Sequence, residues 1–128
     1  MPKKSLVSVM VLLLMLLTPG PVIDWIKTLL ALPVMPPNDS GFPMDKLVHC
    51  LLFAGCTWCC LMDWRARYGT VVVIFVMLAL AAGTELLQIF IPQRSGDWAD
   101  LLADGVGVAL GLWWYHRQKK ARFATTGL

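Results

Sequence analysis

Side chains that could carry chemistry occur in three short groups, each set within or beside apolar sequence. They supply histidine and carboxylates for proton transfer, and lysine and arginine for binding phosphate. An ionisable group inside a membrane span costs about 3 kcal/mol by insertion scales, so such a group usually faces the protein interior and marks function. The candidate ligand-binding residues are Asp45, Lys46, His49, Glu85, Gln88, Arg94, Asp97, Asp100 and Asp104.

Helical spacing places the members of each group on a common face. Asp45 and His49 are four residues apart, and Glu85 and Gln88 are three apart, so each pair lies about one helical turn apart. The three acids of the last group follow the same intervals. His49 and Glu85 are the candidate catalytic residues, because they lie within apolar sequence where helix capping cannot explain them.

Four apolar runs must position these groups, at about 5–19, 45–62, 70–91 and 99–115. With 58% hydrophobic and 15% charged residues, the 128-residue chain has too few charges to cover a soluble globular surface. The sequence predicts an all-α membrane protein: a single domain over residues 1–128, built as a four-transmembrane-helix bundle. The first run is short and is interpreted as an uncleaved signal anchor, with a removed secretory signal as the alternative.

Basic residues set the orientation, because cytoplasmic loops concentrate Lys and Arg. In a four-span arrangement eight of the eleven basic residues fall on one side, and Lys27, Lys46 and Arg94 fall on the other. We expect a multi-pass protein of the bacterial cytoplasmic (inner) membrane with both termini in the cytoplasm. The net charge of +3 calls for no nucleic-acid partner, since the basic segment after residue 115 suits anionic lipid head groups.

The segment between the first and second spans, residues 19–43, is expected on the outer side. Its apolar residues, including Val22, Trp25 and Ile26, favour a short helix lying in the outer membrane interface. The three polar groups all lie at the outer ends of their predicted helices. The sequence therefore predicts one shared polar cluster beneath the outer surface.

Each group also has a purely structural interpretation. Asp97 can cap a helix N-terminus and Asp100 can stabilise the first turn. Asp45 and Lys46 can form an ordinary entry to a span, and the deeper histidine and glutamate can serve only to hold helices together. The four cysteines, all between residues 50 and 60, are interpreted as small buried hydrophobes rather than a zinc or redox site.

One ordered pattern links these positions: Asp45-Lys46-Leu47-Val48-His49, Thr84-Glu85-Leu86-Leu87-Gln88, Arg94, Asp97, Asp100-Leu101, Ala103 and Gly107-Val108-Ala109-Leu110-Gly111. Over roughly residues 44–113 it resembles the VanZ-like membrane protein family. That family typically has Asn where this chain has Asp104, so the chain carries an additional acid. Founding members are associated with teicoplanin resistance, and the resemblance implies a role in the cell envelope and in glycopeptide resistance.

Three functional hypotheses follow. The first is binding of membrane lipids or a lipid-linked or phosphorylated envelope component at the outer leaflet, with Arg94, Lys46 and His49 facing phosphate. The second is a membrane hydrolase or transferase in which Glu85 or His49 is the general base. In that hypothesis the carboxylates of Asp100 and Asp104 hold a divalent cation. The third is proton or ion translocation through the glutamate. Whether the protein is an enzyme is left open.

The sequence contains no recognised catalytic or metal-binding signature. We therefore predict neither a cofactor nor a dedicated metal site. Four short spans enclose little volume, and Gly107 and Gly111 form a GxxxG pair that could mediate self-association.

Overall fold

The protein is described by a computed structural model, which covers residues 3–18, 20–31, 44–91 and 98–127. Within these residues every regular element is an α-helix, which confirms the all-α class. The helices are α1 (Lys3–Leu17), α2 (Gly20–Leu29), α3 (Met44–Tyr68), α4 (Thr70–Gln88) and α5 (Trp98–Thr126).

The third and fourth helices form an antiparallel hairpin. A single residue, Gly69, separates them, and its positive φ of 84° is a backbone conformation that glycine adopts without strain. The Arg65 side chain holds this end of the bundle: its Nε donates to Thr70 Oγ1 at 3.1 Å and its Nη1 donates to Tyr115 Oη at 3.1 Å. Three helices are thereby joined at the end where α3 finishes.

The fifth helix runs parallel to α3 and lies in close contact with it. Gly107 and Gly111 are buried on this contact. A Cβ at Gly107 would collide with the Cys50 carbonyl oxygen, and one at Gly111 would lie 2.5 Å from the Ala54 carbonyl oxygen. The GxxxG pair therefore packs α5 against α3 within the chain. Self-association through Gly107 and Gly111 stays a prediction.

The first helix completes the bundle and runs antiparallel to α3. At its start the Ser5 backbone N–H donates to Asp63 Oδ2 at 2.9 Å, and Ser8 Oγ lies 3.7 Å from Cys56 Sγ. At its end the Leu16 carbonyl accepts a hydrogen bond from the Gln88 side chain. The end of α1, the start of α3, the end of α4 and the start of α5 therefore lie together at one end of the bundle.

The bundle exposes much of its apolar surface. Its interior combines an apolar core, which includes Phe53 and Met77, with several buried polar side chains, whereas large apolar side chains such as Val71, Phe75 and Leu86 are exposed. Residues 46–68 of α3 and all of α4 are long and apolar enough to cross a membrane, and only 33% and 22% of their most apolar segments are buried. Exposed apolar faces of this extent indicate contact with lipid rather than water.

The other helices differ from the four-span prediction. With 15 residues α1 is shorter than a full crossing, and α5 carries two acids in its first turns. Helix α2 confirms a short helix after the first run, with Trp25 and Ile26 exposed. Its position in a membrane interface and the total of four spans stay predictions. Two helices continue past the predicted spans: α3 runs through Tyr68, and α5 extends over the basic segment to Thr126.

Candidate functional site

Three helix ends bring three ionisable side chains together inside the bundle. His49 lies in the second turn of α3, Glu85 in the last turn of α4 and Asp104 in the second turn of α5. Their residues are 2%, 8% and 0% exposed. All three are among the site residues predicted from the sequence, and they lie at the same end of the bundle.

A direct contact joins two of these residues. His49 Nδ1 lies 2.8 Å from Asp104 Oδ1, within hydrogen-bonding distance, although the two residues are 55 positions apart in sequence. The carboxylate accepts when Nδ1 carries the proton, and this contact orients the imidazole as in other histidine sites where a carboxylate bonds one ring nitrogen. The α3–α5 packing at the glycines supports this geometry, because it brings the two backbones close.

Glu85, on α4, is the third member of the group. One ligand atom from each of His49, Glu85 and Asp104 lies within 4.8 Å of the other two. Asp104 Oδ2, the oxygen that does not face His49, is buried and has no hydrogen-bond partner among the described residues. The group therefore places one imidazole and two carboxyl groups close together inside the bundle.

A second polar layer lies one helical turn nearer the bundle end. Lys46 precedes His49 by three residues, and Asp100 precedes Asp104 by four. Lys46 Nζ lies 3.5 Å from Asp100 Oδ1, and the two side chains are 34% and 14% exposed. This ion pair is more accessible than the buried layer beneath it and can meet a charged group that approaches the bundle end.

The Gln88 side chain serves a different contact. Its Nε2 donates to the Leu16 carbonyl oxygen at 2.8 Å and ties α4 to the end of α1. Because its amide is used by the fold, the hydrogen bond gives Gln88 a structural role. The carbonyl of Leu16 was not recognised from the sequence, since a leucine in an apolar run carries no polar signal.

The remaining predicted residues cannot be placed in the cluster. Arg94 and Asp97 lie outside the described residues, as does the side chain of Asp45, whose backbone begins α3. Of the nine predicted residues, the structure brings five together in two layers: Lys46, His49, Glu85, Asp100 and Asp104. The cysteines are free, and Cys56 and Cys60 are buried, as expected of small hydrophobic residues.

Apolar helices that enclose an ionisable cluster indicate a membrane protein of the all-helical class. The VanZ/LLP1 family model matches residues 5–119. The chain therefore belongs to the VanZ/LLP1 family, and the resemblance noted over residues 44–113 extends to α1 and to the basic segment of α5. No curated protein and no solved structure matches the chain significantly.

Proposed function

We propose that the protein binds the phosphorylated head group of a lipid or of a lipid-linked envelope component at the outer ends of α3, α4 and α5. The observation that carries the proposal is the accessible Lys46–Asp100 pair above the buried His49–Asp104 contact. Lysine is a strongly hydrated point charge that meets phosphate readily. An incoming phosphate can therefore exchange for Asp100 on the lysine without reaching the buried layer.

An apolar groove supports the lipid part of this proposal. It has a volume of about 400 Å³ and is open to the surroundings of the bundle; its lining residues are Leu13, Phe75, Val76, Ala79, Leu80, Gly83, Thr84 and Leu87. The groove runs along α4, with Leu13 of α1 beside it, and reaches Leu87 in the last turn of α4. An acyl or polyprenyl chain lying there would place its head group at the polar end of the bundle.

The proposed location is the bacterial cytoplasmic membrane, with a multi-pass arrangement and both termini in the cytoplasm. It is supported by the bundle geometry, because the basic ends of α3 and α5 lie at the opposite end from the polar cluster. The excess of Lys and Arg favours the cytoplasmic side, which leaves the cluster at the outer leaflet.

Native mass spectrometry of the detergent-purified protein tests the proposal. The expected result is a retained phospholipid or polyprenyl phosphate, and Lys46→Gln should reduce the retained fraction by about tenfold, equivalent to about 1.4 kcal/mol. Lys120→Gln is the matched control, because Lys120 is exposed at the other end of the bundle. Retention that is equal in both variants would place the lipid elsewhere.

A second candidate, a membrane hydrolase or transferase, is favoured by the His49–Asp104 contact. A carboxylate at Nδ1 leaves Nε2 as the basic nitrogen, which is the arrangement of a histidine general base. Release of inorganic phosphate from a retained lipid by wild type, and its absence from His49→Gln, would support turnover. Retention of an intact lipid over many hours would favour binding alone.

A role in glycopeptide (teicoplanin-type) resistance belongs to the proposal as its physiological consequence. If the bound component belongs to the cell envelope, expression in a teicoplanin-sensitive bacterium should raise the inhibitory concentration of the antibiotic. Lys46→Gln should lose this protection together with lipid retention. Protection that persists without lipid retention would separate the two properties.

A further inference from the structure

The buried layer of the cluster brings one imidazole and two carboxyl groups together. Glu85 and Asp104 contribute the carboxyl groups to a site in which every residue is less than one-tenth exposed. Burying an ionised carboxylate costs several kcal/mol unless a cation or hydrogen-bond donors compensate for it. Lys46 is one turn away and lies against Asp100.

The orphan oxygen of Asp104 points to a missing partner. Asp104 is 0% exposed, and its Oδ2 has no hydrogen-bond partner among the described residues, whereas its Oδ1 faces His49. Buried acceptors of this kind are almost always satisfied. A cation bound beside Asp104 would satisfy this oxygen.

We propose that His49, Glu85 and Asp104 bind a divalent transition-metal ion of the Zn²⁺ class, with one ligand from each of three helices. Ligand atoms that share a tetrahedral Zn²⁺ at about 2.1 Å lie about 3.4 Å apart. The observed atoms already lie within 4.8 Å of one another, so small side-chain rotations bring them onto an ion. The sequence predicted no metal site here because the three ligands come from positions 36 and 19 residues apart.

The chemistry of the donors selects the class of ion. Mg²⁺ and Ca²⁺ prefer oxygen ligands throughout, whereas an imidazole with carboxylates suits Zn²⁺ and its neighbours. Three protein ligands leave one position open, which is typical of catalytic rather than structural zinc sites. Lys46 and Asp100 lie one helical turn from His49 and Asp104, nearer the bundle end. This inference does not rest on lipid binding, because the ion requires only the three side chains.

The test uses the full-length protein in detergent, stripped with a chelator and then titrated with Zn²⁺ alone. The expected result is one tightly bound Zn²⁺ per chain by calorimetry and elemental analysis, with a raised melting temperature. His49→Gln, Glu85→Gln and Asp104→Asn should each weaken binding by tenfold or more. His116→Gln is the matched control, since His116 is exposed on α5 and should leave binding unchanged.

Spectroscopy on the wild-type protein keeps the test independent of variant folding. X-ray absorption of the Zn²⁺ form should show one imidazole nitrogen and oxygen ligands at about 2.0–2.1 Å. Sulfur at about 2.3 Å would assign the ion to the cysteines and overturn the proposal. The proposal would also be overturned if the wild type failed to retain Zn²⁺. The same would follow if His116→Gln weakened Zn²⁺ binding as much as the ligand variants do. Lipid retention measured on the same stripped protein reports separately on the proposed function.

Discussion

At the scale of single residues, the His49–Asp104 contact couples a base on one helix to an acid on another. Each partner is buried, so neither can exchange its contact for water when the other is removed. Removing one partner therefore lowers the free energy of unfolding by more than the contact contributes, because the remaining partner stays buried without a hydrogen bond. In the Lys46–Asp100 pair the lysine side chain is 34% exposed, so the ammonium group has water as an alternative partner.

Replacing Asp104 by Asn should therefore destabilise the protein by about 1 kcal/mol, since a neutral amide is a weaker acceptor for the imidazole than a carboxylate. Thermal unfolding in detergent measures the change. Asp100→Asn, one turn above, should cost less than half as much because its partner Lys46 is 34% exposed and can be solvated instead. A double-mutant cycle with His49→Gln isolates the pair, and additive effects in that cycle would show that the contact contributes nothing.

Replacing Glu85 by Gln should leave insertion and folding intact while removing function. Gln keeps the size of the side chain and a carbonyl acceptor, but it has neither the charge nor the carboxyl proton. We expect a melting temperature close to wild type and about tenfold lower lipid retention in native mass spectrometry. If stability falls first and the folded fraction retains lipid normally, Glu85 serves the fold alone.

The sequence could predict the members of the cluster better than their contacts. Glu85 and His49 were identified because they interrupt apolar runs, and that signal is local. The pairing of His49 with Asp104 could not be derived from local sequence, because it depends on the rotation of α5 against α3. The contact that Gln88 makes with Leu16 was equally hidden, since its acceptor is a backbone carbonyl.

At the scale of helices, the small residues of α5 determine how closely it approaches α3. Gly107 and Gly111 lie under the cluster on the face that carries Asp104, at spacings of three and four residues. Their missing side chains allow the Cys50 and Ala54 backbones to approach α5 directly. The sequence identified this GxxxG pair as a packing motif but could not reveal that its partner is in the same chain.

A methyl group on this face should disrupt both the packing of α5 against α3 and the polar cluster above it. In Gly107→Ala the new Cβ would lie 2.9 Å from Phe53 Cβ and would collide with the Cys50 carbonyl oxygen. We therefore expect the free energy of unfolding in detergent to fall by about 1–3 kcal/mol. Gly105→Ala is the matched control on the same helix, because nothing lies within 4 Å of a Cβ there. That variant should be neutral or more stable by up to about 1 kcal/mol. Equal melting temperatures would refute a close α3–α5 contact.

At the scale of the whole molecule, charge and polarity separate along the bundle axis. One end carries the ionisable cluster, and the other carries Arg65, Arg67 and the basic segment of α5. Near that basic end Arg117 lies 5.1 Å from the ring centre of Trp113, an aromatic–cation contact suited to the membrane interface. The length of each helix could be predicted only approximately, because apolar runs report the hydrocarbon core whereas helices continue into the interface.

The axial separation predicts a definite orientation, in which α3 runs from outside to inside and α4 returns. Cysteine reporters at Ser40 and Ser95, introduced after the four native cysteines are replaced by Ala, should react with a membrane-impermeant maleimide on intact cells. A reporter at Arg67 should react only after the membrane is permeabilised, because Lys and Arg at that end favour the cytoplasm. Labelling at Arg67 alone in intact cells would reverse the topology and move the cluster to the inner leaflet. The lipid-binding proposal would then have to name a cytoplasmic-leaflet ligand, whereas the metal site would be unaffected, since its three ligands are set by helix packing and not by orientation.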